Sequence, residues 1–306
     1  MGGFRHKLNR IFKREPKVPG GRPPYDYVMM FKILVLQRLY NLSDAQMQYQ
    51  IMARLSFMRF LKLNLNIRVP DEKTIWLFRE KLVKSKKIEL LFDLFSSYLM
   101  SHGVIVESET IVDASFVEAP RQRNSRDENK EIKEGKPPKE WSDNKLRQKD
   151  VDARWTTKGG ERHYGYKNHI KIDRKSKMIK TYVVTHSAVH DSQVVSDLLE
   201  ESDSHHELYG DSAYSGSAIK ALLKEMKIRN RIHEKGYRGS PLTKDQQERN
   251  RKKSRVRARV EHVFGCMTNS MHQSITRYVG TARVETMIGL NNIVYNMLRY
   301  VQICTA

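Results

Sequence analysis

Three carboxylate side chains in this chain have the type and the sequence setting of catalytic or metal-binding groups. Asp113 and Asp211 each follow a short apolar run, in "TIVD" and "LYGD", and Glu261 lies among arginines in "SRVRARVEHVFG". Each also has an ordinary explanation. An aspartate after a strand commonly closes a turn, and a glutamate four residues after Arg257 commonly forms a helical ion pair worth roughly 0.2–0.5 kcal/mol. Both explanations stay open at this point.

The three carboxylates support a further prediction when they are considered together. If the two strands are neighbours and the glutamate's helix packs across them, Asp113, Asp211 and Glu261 converge. Like charges in one site are costly without a cation, and oxygen ligands suit Mg²⁺. Two divalent ions roughly 3.5–4 Å apart would make the cluster a two-metal phosphodiester site. We therefore predict that these residues bind two Mg²⁺ ions, with Mn²⁺ as a substitute.

Helical spacing places Glu261 beside a buried stripe. In a helix through 254–268, the valines, Phe264 and Met267 share one face. Arg257, Glu261 and Thr268 fall on the adjacent strip, so the glutamate lies at the edge of the core. A carboxylate cluster repels a phosphate backbone, and neighbouring basic residues supply the opposing positive potential. The candidates on this helix are Lys252, Lys253, Arg255 and Arg259.

The elements that must position these residues fall into two regions. Residues 25–101 have helical patterning and predict an all-α, DNA-binding domain in which helices begin at Ser43 and Asp71. Residues 102–306 predict three strands, a helix, a strand, a helix, a strand and a long helical region. That order resembles the α/β ribonuclease-H-like fold, a mixed five-stranded sheet with flanking helices.

Two segments are predicted to be irregular. Residues 1–24 are basic, end in "PGGRPP" and predict a flexible or extended arm. Residues 118–160 are densely charged with few aliphatic side chains, so we expect a long loop or a segment that a partner orders. The strand before this insertion is expected to end near Asp113.

The charge of the chain predicts a polyanionic partner. The 306 residues include 56 lysines and arginines against 35 acids, a formal net charge of +21. Nucleic acid is the first expectation and an anionic membrane surface the second. Lys32 and Arg38 interrupt the most apolar run, at 29–40, which is also short of spanning length, so no membrane-spanning segment is expected. Of the two kinds of partner we predict DNA and no membrane. Two cysteines without a metal pattern favour a reducing compartment, and we expect a cytoplasmic, nucleoid-associated protein.

At these motifs the chain resembles the DDE transposases of the insertion-sequence-five family, from bacterial or archaeal insertion sequences. The resemblance runs through "VPDEKTIWLFR", "IVDASFVEAPRQRNS", "HDSQV", "GDSAYSG" and "SRVRARVEHVFG". It implies that Asp113, Asp211 and Glu261 are the metal-binding triad and that Arg257 contacts substrate phosphate. It also implies that a homo-oligomer, a dimer or higher, pairs two element ends, nicks them and joins them to target DNA.

Two positions depart from the family pattern. Ser254 stands three residues before the arginine, where the pattern has an aromatic or polar residue. Thr268 stands seven residues after the glutamate, where a lysine or arginine is usual. The absence of a basic side chain at position 268 predicts weaker binding of element ends or weaker activity, with unchanged metal chemistry, unless Lys252 or Lys253 replaces it.

Other candidates carry less specific signals. His190 and Asp191 are predicted to support the metal site, with a helix N-cap at Asp191 as the alternative. Lys73 and Arg79 lie near a helix start that either reads DNA or is an ordinary solvated face. Basic residues between aromatics suit phosphate contact and base stacking, although the aromatics could instead be buried in strands. These basic candidates are Lys158, Arg162, Lys167 and His169.

Three functions fit the sequence. The first is an active transposase. The second is a DNA-binding protein derived from one, which keeps the fold without the chemistry. The third is a ribonuclease-H-like nuclease of repair or RNA processing, which shares the carboxylates but needs no helical DNA-binding domain. Joining of strands separates the first from the third, and metal-dependent cleavage separates the second from both.

Overall fold

The N-terminal region is helical, as the patterning predicted. The structure, a computed structural model, describes residues 2–12, 23–106 and 108–305. Ser43 accepts a hydrogen bond from Gln46 N, and Asp71 accepts one from Thr74 N at 2.7 Å, so both predicted helix starts are confirmed. The helices are α1 (Gly2–Phe12), α2 (Tyr27–Leu39), α3 (Asp44–Ala53), α4 (Leu55–Leu61), α5 (Glu72–Ser85) and α6 (Ile88–Ser101).

The prediction of a flexible arm over residues 1–24 is wrong for its first part, which forms helix α1. Leu8 and Phe12 lie one helical turn apart and are both buried. Phe12 stacks on Phe78 of α5 with 4.3 Å between ring centroids. Burial of this apolar stripe against the neighbouring helices stabilises a segment that is too short to be helical alone. Residues 13–22 of the predicted arm lie outside the described residues.

The second region forms the predicted ribonuclease-H-like mixed sheet. Strand β1 pairs antiparallel with β3 and parallel with β5, β4 pairs antiparallel with β3, and β6 pairs parallel with β5. These are the five predicted strands. A further strand, β2, pairs with the start of β3 and was not predicted. The strands are β1 (Thr110–Glu118), β2 (Arg154–Lys158), β3 (Glu161–Asp173), β4 (Ile179–His186), β5 (Glu207–Gly210) and β6 (Arg229–Ile232).

Helices flank this sheet as predicted, with two differences. The helix expected in "DSQVVSDLLEES" is only one turn long, between short 3₁₀ turns. The helix expected through 254–268 changes to a π-helical turn at Cys266–Ser270. Among the described residues, none of the helices is both long and apolar enough to cross a bilayer. The helices are α7 (Arg126–Lys133), α8 (Asp143–Gln148), α9 (Val195–Leu198), α10 (Ser217–Glu225), α11 (Lys244–Gly265) and α12 (Thr281–Thr305).

The charged segment 118–160 is ordered, which corrects the expectation of a long loop. Ser125 and Glu128 form a capping box at the start of α7, so local hydrogen bonds stabilise a helix that has little apolar surface. Trp141 is 6% exposed and donates from Nε1 to Glu128 Oε1 at 2.6 Å. This single aromatic anchor, with buried Ile132, replaces the core that the composition lacks.

Helix α12 ties the helical region to the sheet. A Cβ added at Gly289 would lie 2.3 Å from Tyr182 Oη and 2.8 Å from Ile88 Cγ1, so only glycine allows this approach. One buried cluster contains side chains from α2, α5 and α6 together with side chains from β3, β4, α11 and α12. The core is therefore continuous across the predicted boundary at residues 101 and 102, and the division into separate domains stays a prediction.

Candidate active site

Asp113 and Asp211 lie at the same level of two adjacent parallel strands. Thr110 pairs with Leu208 and Ile111 with Tyr209, a register that sets Asp113 level with Asp211. The neighbouring strands that the sequence predicted are thus confirmed. Strand β1 does not end at Asp113, however, because its pairing with β3 continues to Glu118.

The local hydrogen bonds of the two aspartates differ. Asp211 follows the last residue of β5 and caps a 3₁₀ turn, where its Oδ1 accepts from Ala213 N at 2.8 Å. The turn role considered for Asp211 therefore exists, alongside its position level with Asp113. Asp113 accepts from Ala114 N at 2.8 Å. One oxygen of each carboxylate therefore remains for other contacts.

Arg257 links the catalytic candidate on α11 to the sheet. Helix α11 packs on β1 and β5. Arg257 Nη1 lies 3.2 Å from Asp113 Oδ2, and Nη2 lies 3.4 Å from Glu261 Oε1. The helical ion pair expected for Glu261 therefore exists, but the same guanidinium also binds the strand carboxylate. The Glu261 side chain is 64% exposed and that of Asp113 is 12% exposed, so the glutamate is free to turn.

Asp113 is held in an environment that disfavours its charge. Burial is the main cause that raises its pKa to about 6, and the nearby Asp211 carboxylate acts in the same direction. The Ala114 N–H and the charges of Arg257 and Lys158 lower this pKa but do not restore the usual value. A buried carboxyl beside a second carboxylate is an electrostatic setting that a cation would relieve.

In their present positions, the candidate ligand side chains form only part of a divalent-cation site. In the portion of the chain that the structure describes, no three His, Cys, Asp or Glu side chains are close enough to hold one ion together. The carboxylate oxygens of Asp113 and Asp211 are the donors that Mg²⁺ prefers. Among the residues that the structure describes, the buried Tyr214 hydroxyl has no hydrogen-bond partner, and the charges of Asp113, Asp191 and Asp211 all act to raise its pKa. An unpaired buried hydroxyl beside three carboxylates fits a site that takes up a further polar group.

Tyr214 was missed by the sequence reasoning. Burial is the main cause that raises its pKa well above the usual value, and Asp113 and Asp191 add to this, so the hydroxyl stays protonated. The signal was present, since this tyrosine follows Asp211 by three residues in the turn of "GDSAYSG". Only the structure shows that its hydroxyl lies close enough to Asp113, Asp191 and Asp211 for their charges to act on it.

Asp191 anchors a buried charge network beside the site. Lys167 Nζ lies 2.8 Å from its Oδ1, Lys158 Nζ lies 3.3 Å from its Oδ2, and His169 Nδ1 lies 3.9 Å away. Burial acts to raise the pKa of Asp191, but Lys167 and Lys158 outweigh it and hold that pKa below its usual range. The N-cap role considered for Asp191 is wrong, because the His190 side chain accepts from Ser192 N.

Three predicted DNA contacts are buried inside the protein. Lys167 is 6% exposed and paired with Asp191. His169 is fully buried, and burial lowers its pKa to about 4, so it is neutral at physiological pH. Arg79 is 5% exposed and pairs with Asp44 of α3 through both terminal nitrogens. Direct DNA contact stays a prediction for these residues. At Lys167 and at the terminal nitrogens of Arg79, a phosphate would have to displace the present carboxylate partners.

The other basic candidates keep some accessible surface. Lys158 has a 47% exposed side chain, and Lys253 and Arg259 are half-buried, donating to the carbonyl oxygens of Ile232 and Arg174. DNA contact by all of them stays a prediction. The other candidates are exposed: Lys73, Arg162, Lys252 and Arg255.

Two family models match the chain. One, described as "Transposase DDE domain", matches residues 106–297, and the other, described as "Transposase domain", matches residues 3–81. Among solved structures, the chain is similar to the piggyBac transposase in a synaptic complex with hairpin DNA, at 14% identity over 95% of this chain and 70% of that one, with a TM-score of 0.44. It is similar to a chain of the pre-cleavage Mos1 transpososome at 7% identity over 94% and 79% of the two chains, with a TM-score of 0.28. At these TM-scores, the family membership rests on the sequence models.

Proposed function

Because the chain belongs to the family of DDE transposases, we propose that it binds the terminal inverted repeats of its own insertion sequence, nicks the DNA to free 3′-hydroxyls and joins these to target DNA. The observation that carries the proposal is the linkage of Asp113, Asp211, Arg257 and Glu261. Two strand carboxylates lie level with each other, and Arg257 joins one of them, Asp113, to the helix carboxylate Glu261. Membership of the insertion-sequence-five family stays a prediction.

Transposases of this family use divalent metal ions. We propose that Asp113, Asp211 and Glu261 hold two Mg²⁺ ions, for which Mn²⁺ substitutes. When bound, such ions supply Lewis acidity and lower the pKa of an attacking water or 3′-hydroxyl. Glu261 must turn from Arg257 towards the sheet, and its exposure makes this movement inexpensive.

Arg257 exchanges partners in this proposal. Its Nε is buried without a partner among the described residues, and its terminal nitrogens bind Asp113 and Glu261. When cations neutralise the two carboxylates, the guanidinium becomes available for a phosphate, which it binds well through two parallel hydrogen bonds. Lys158, which pairs with Asp191, supports the site. Its positive charge lowers the pKa of Asp113 and so favours the ionised form that a metal requires.

DNA binding is supported by the charge of the chain. The net charge is +21, and Lys252 and Arg255 are exposed on the helix that carries Glu261. Arg162 is exposed near the start of β3, and Lys73 is exposed on α5. We propose that these residues contact the phosphates of element ends and target DNA. The protein acts as a homo-oligomer, a dimer or higher, and is located in the cytoplasm at the nucleoid.

The proposal is tested by joining element ends to a plasmid. Inverted repeats from the DNA flanking the gene are incubated with the purified full chain, Mg²⁺ and supercoiled plasmid. Joined products support the transposase. Cleavage without joining would indicate a nuclease, and tight, salt-sensitive binding with neither activity would indicate a DNA-binding protein that has lost catalysis.

Replacing Arg257 with alanine is expected to reduce end cleavage about a hundredfold, the scale of losing one preorganised donor to a developing negative charge. Divalent-metal binding, followed by calorimetry with Mn²⁺, should persist because no metal ligand is removed. Arg251→Ala is the matched control, since Arg251 is an exposed arginine on the same helix and is neither a site residue nor one of the proposed DNA contacts. Equal cleavage by Arg257→Ala and wild type would remove Arg257 from the site.

A further inference from the structure

A polar pocket lies where the helical region meets the segment that follows α11. Its volume is about 410 Å³. Arg38 at the end of α2, Asp44 at the start of α3 and Arg79 of α5 line it from one side. Thr268 and Arg277 line it from the other, so the pocket joins two regions that are far apart in sequence. We call it the Arg38 pocket.

Positive charge exceeds negative charge in the Arg38 pocket. Arg79 is 5% exposed and uses its terminal nitrogens on Asp44, at 2.6 and 2.7 Å. Arg38 is 8% exposed and donates from Nε to the neutral amide of Asn291 at 2.7 Å. Within residues 2–12, 23–106 and 108–305, neither Arg38 nor Arg277 has an ion pair with a carboxylate. Asp44 is therefore the one acid that lines the pocket against three arginines.

The buried arginines retain unused binding capacity. The Nε of Arg79 is buried and has no hydrogen-bond partner among the described residues. The Arg38 and Arg79 guanidinium carbons lie 5.9 and 5.4 Å from the centre of the Tyr278 ring, so one ring supports both cations. Burying two like charges with one counter-charge is costly, and an anion with several acceptor oxygens would offset that cost.

We propose that the Arg38 pocket binds a phosphate group and that, in the working protein, this group is a backbone phosphodiester of bound DNA. A guanidinium fork matches two phosphate oxygens, and exposed Arg277 lies at the mouth to draw the anion in. The DNA source rests on the proposed function, whereas the phosphate chemistry does not.

The Arg38 pocket adjoins the end of helix α11, which carries Glu261. Thr268 lies in the π-helical turn that directly continues α11 and lines the pocket. A phosphate held by Arg38 and Arg277 therefore contacts the end of the element that carries Glu261. Arginines from α2 and from the 271–280 segment supply positive charge beside a position where this chain has an uncharged threonine.

The first experimental arm measures phosphate binding to the full chain without DNA. Melting temperatures are compared in sodium phosphate and in sodium chloride of equal ionic strength. A ligand at concentration L that binds only the folded state stabilises it by RT ln(1 + L/Kd), so the melting temperature rises with the ratio of phosphate concentration to Kd. Arg277→Gln should weaken the phosphate effect about tenfold in concentration, as expected for one charge-assisted contact. Arg229→Gln, which removes an exposed arginine that does not line the pocket, should behave as wild type.

Arg38→Gln is a second variant and should abolish the phosphate effect. If Arg38→Gln does not fold, the exposed Arg277 still decides the question, since its loss leaves the core intact. Equal phosphate effects in wild type and Arg277→Gln would overturn the site.

The second arm distinguishes the source of the phosphate. The logarithm of DNA affinity falls with the logarithm of salt concentration by roughly 0.9 per neutralised phosphate, so Arg277→Gln should lower that slope by about one. A phosphate effect with an unchanged slope would overturn the DNA source in favour of a free anion. If wild type binds no DNA, the proposed function fails while the first arm still judges the pocket.

Discussion

Replacing Glu261 with glutamine is expected to lower end cleavage and joining by on the order of 10³-fold or more, while DNA binding is not weakened. The amide keeps the size and polarity of the side chain but cannot supply the anionic oxygen that a divalent ion requires. Folding should be unaffected, because the Glu261 side chain is 64% exposed and, within the described part of the chain, its ion pair is with Arg257 alone, at 3.4 Å. Such an exposed helical pair contributes little to stability.

The measurement is nicking of an inverted-repeat duplex in Mg²⁺, with filter binding of the same duplex in the absence of metal. Glu248→Gln is the matched control, an exposed glutamate on the same helix outside the site. The assignment of Glu261 fails if its glutamine variant nicks at the wild-type rate.

Asp113→Asn is expected to stabilise the metal-free protein at neutral pH by up to about 3 kcal/mol while it abolishes activity. Burial raises the pKa of this carboxyl from 3.8 to about 6, so its ionised form is costly in the folded state. Asparagine resembles the protonated acid and avoids that cost. The wild-type protein would thus keep a destabilising charge because metal binding needs it.

The sign of the pH dependence follows from that raised pKa. Between pH 4 and 6 the folded state binds more protons at Asp113 than the unfolded state does, so the free energy of unfolding falls as pH rises through this window. Above about pH 6 the cost is fully present. The stability difference between Asp113→Asn and wild type should therefore grow from pH 4 to 6 and then level off.

Urea unfolding at several pH values, with metal chelated, measures this difference. Saturating Mn²⁺ should then stabilise wild type and leave Asp113→Asn unchanged. Glu140→Gln, at an exposed position, controls for the loss of one carboxylate. A stability difference that does not vary with pH would contradict the burial of an ionised Asp113.

Local sequence patterns determined the elements and the residues with chemical potential. Alternating β-branched residues predicted β1, and a side chain able to cap a helix predicted the starts of α3 and α5. The strand order and the spacing of Asp113, Asp211 and Glu261 predicted which elements would converge. These signals are readable because hydrogen bonding and burial periodicity act over a few neighbouring residues.

Other features depended on contacts between residues distant in sequence. Helix α1 exists because Phe12 packs on Phe78, and the 118–160 segment is ordered around Trp141. Neither contact leaves a periodic signal long enough to read. Short helices are marginal alone, so tertiary packing decides whether they form.

Only the tertiary structure decided which charged side chains are buried, which partners they have and how they ionise. Arg79, Lys167 and Lys252 are alike as basic residues in the sequence, yet the first two are buried against Asp44 and Asp191 and the third is exposed. The raised pKa of Asp113 and the burial of the Tyr214 hydroxyl likewise arise from the residues that surround the site. The sequence determined which groups could act, and the fold decided their ionisation and partners, because desolvation and Coulomb energies depend on distances in space between residues far apart in the chain.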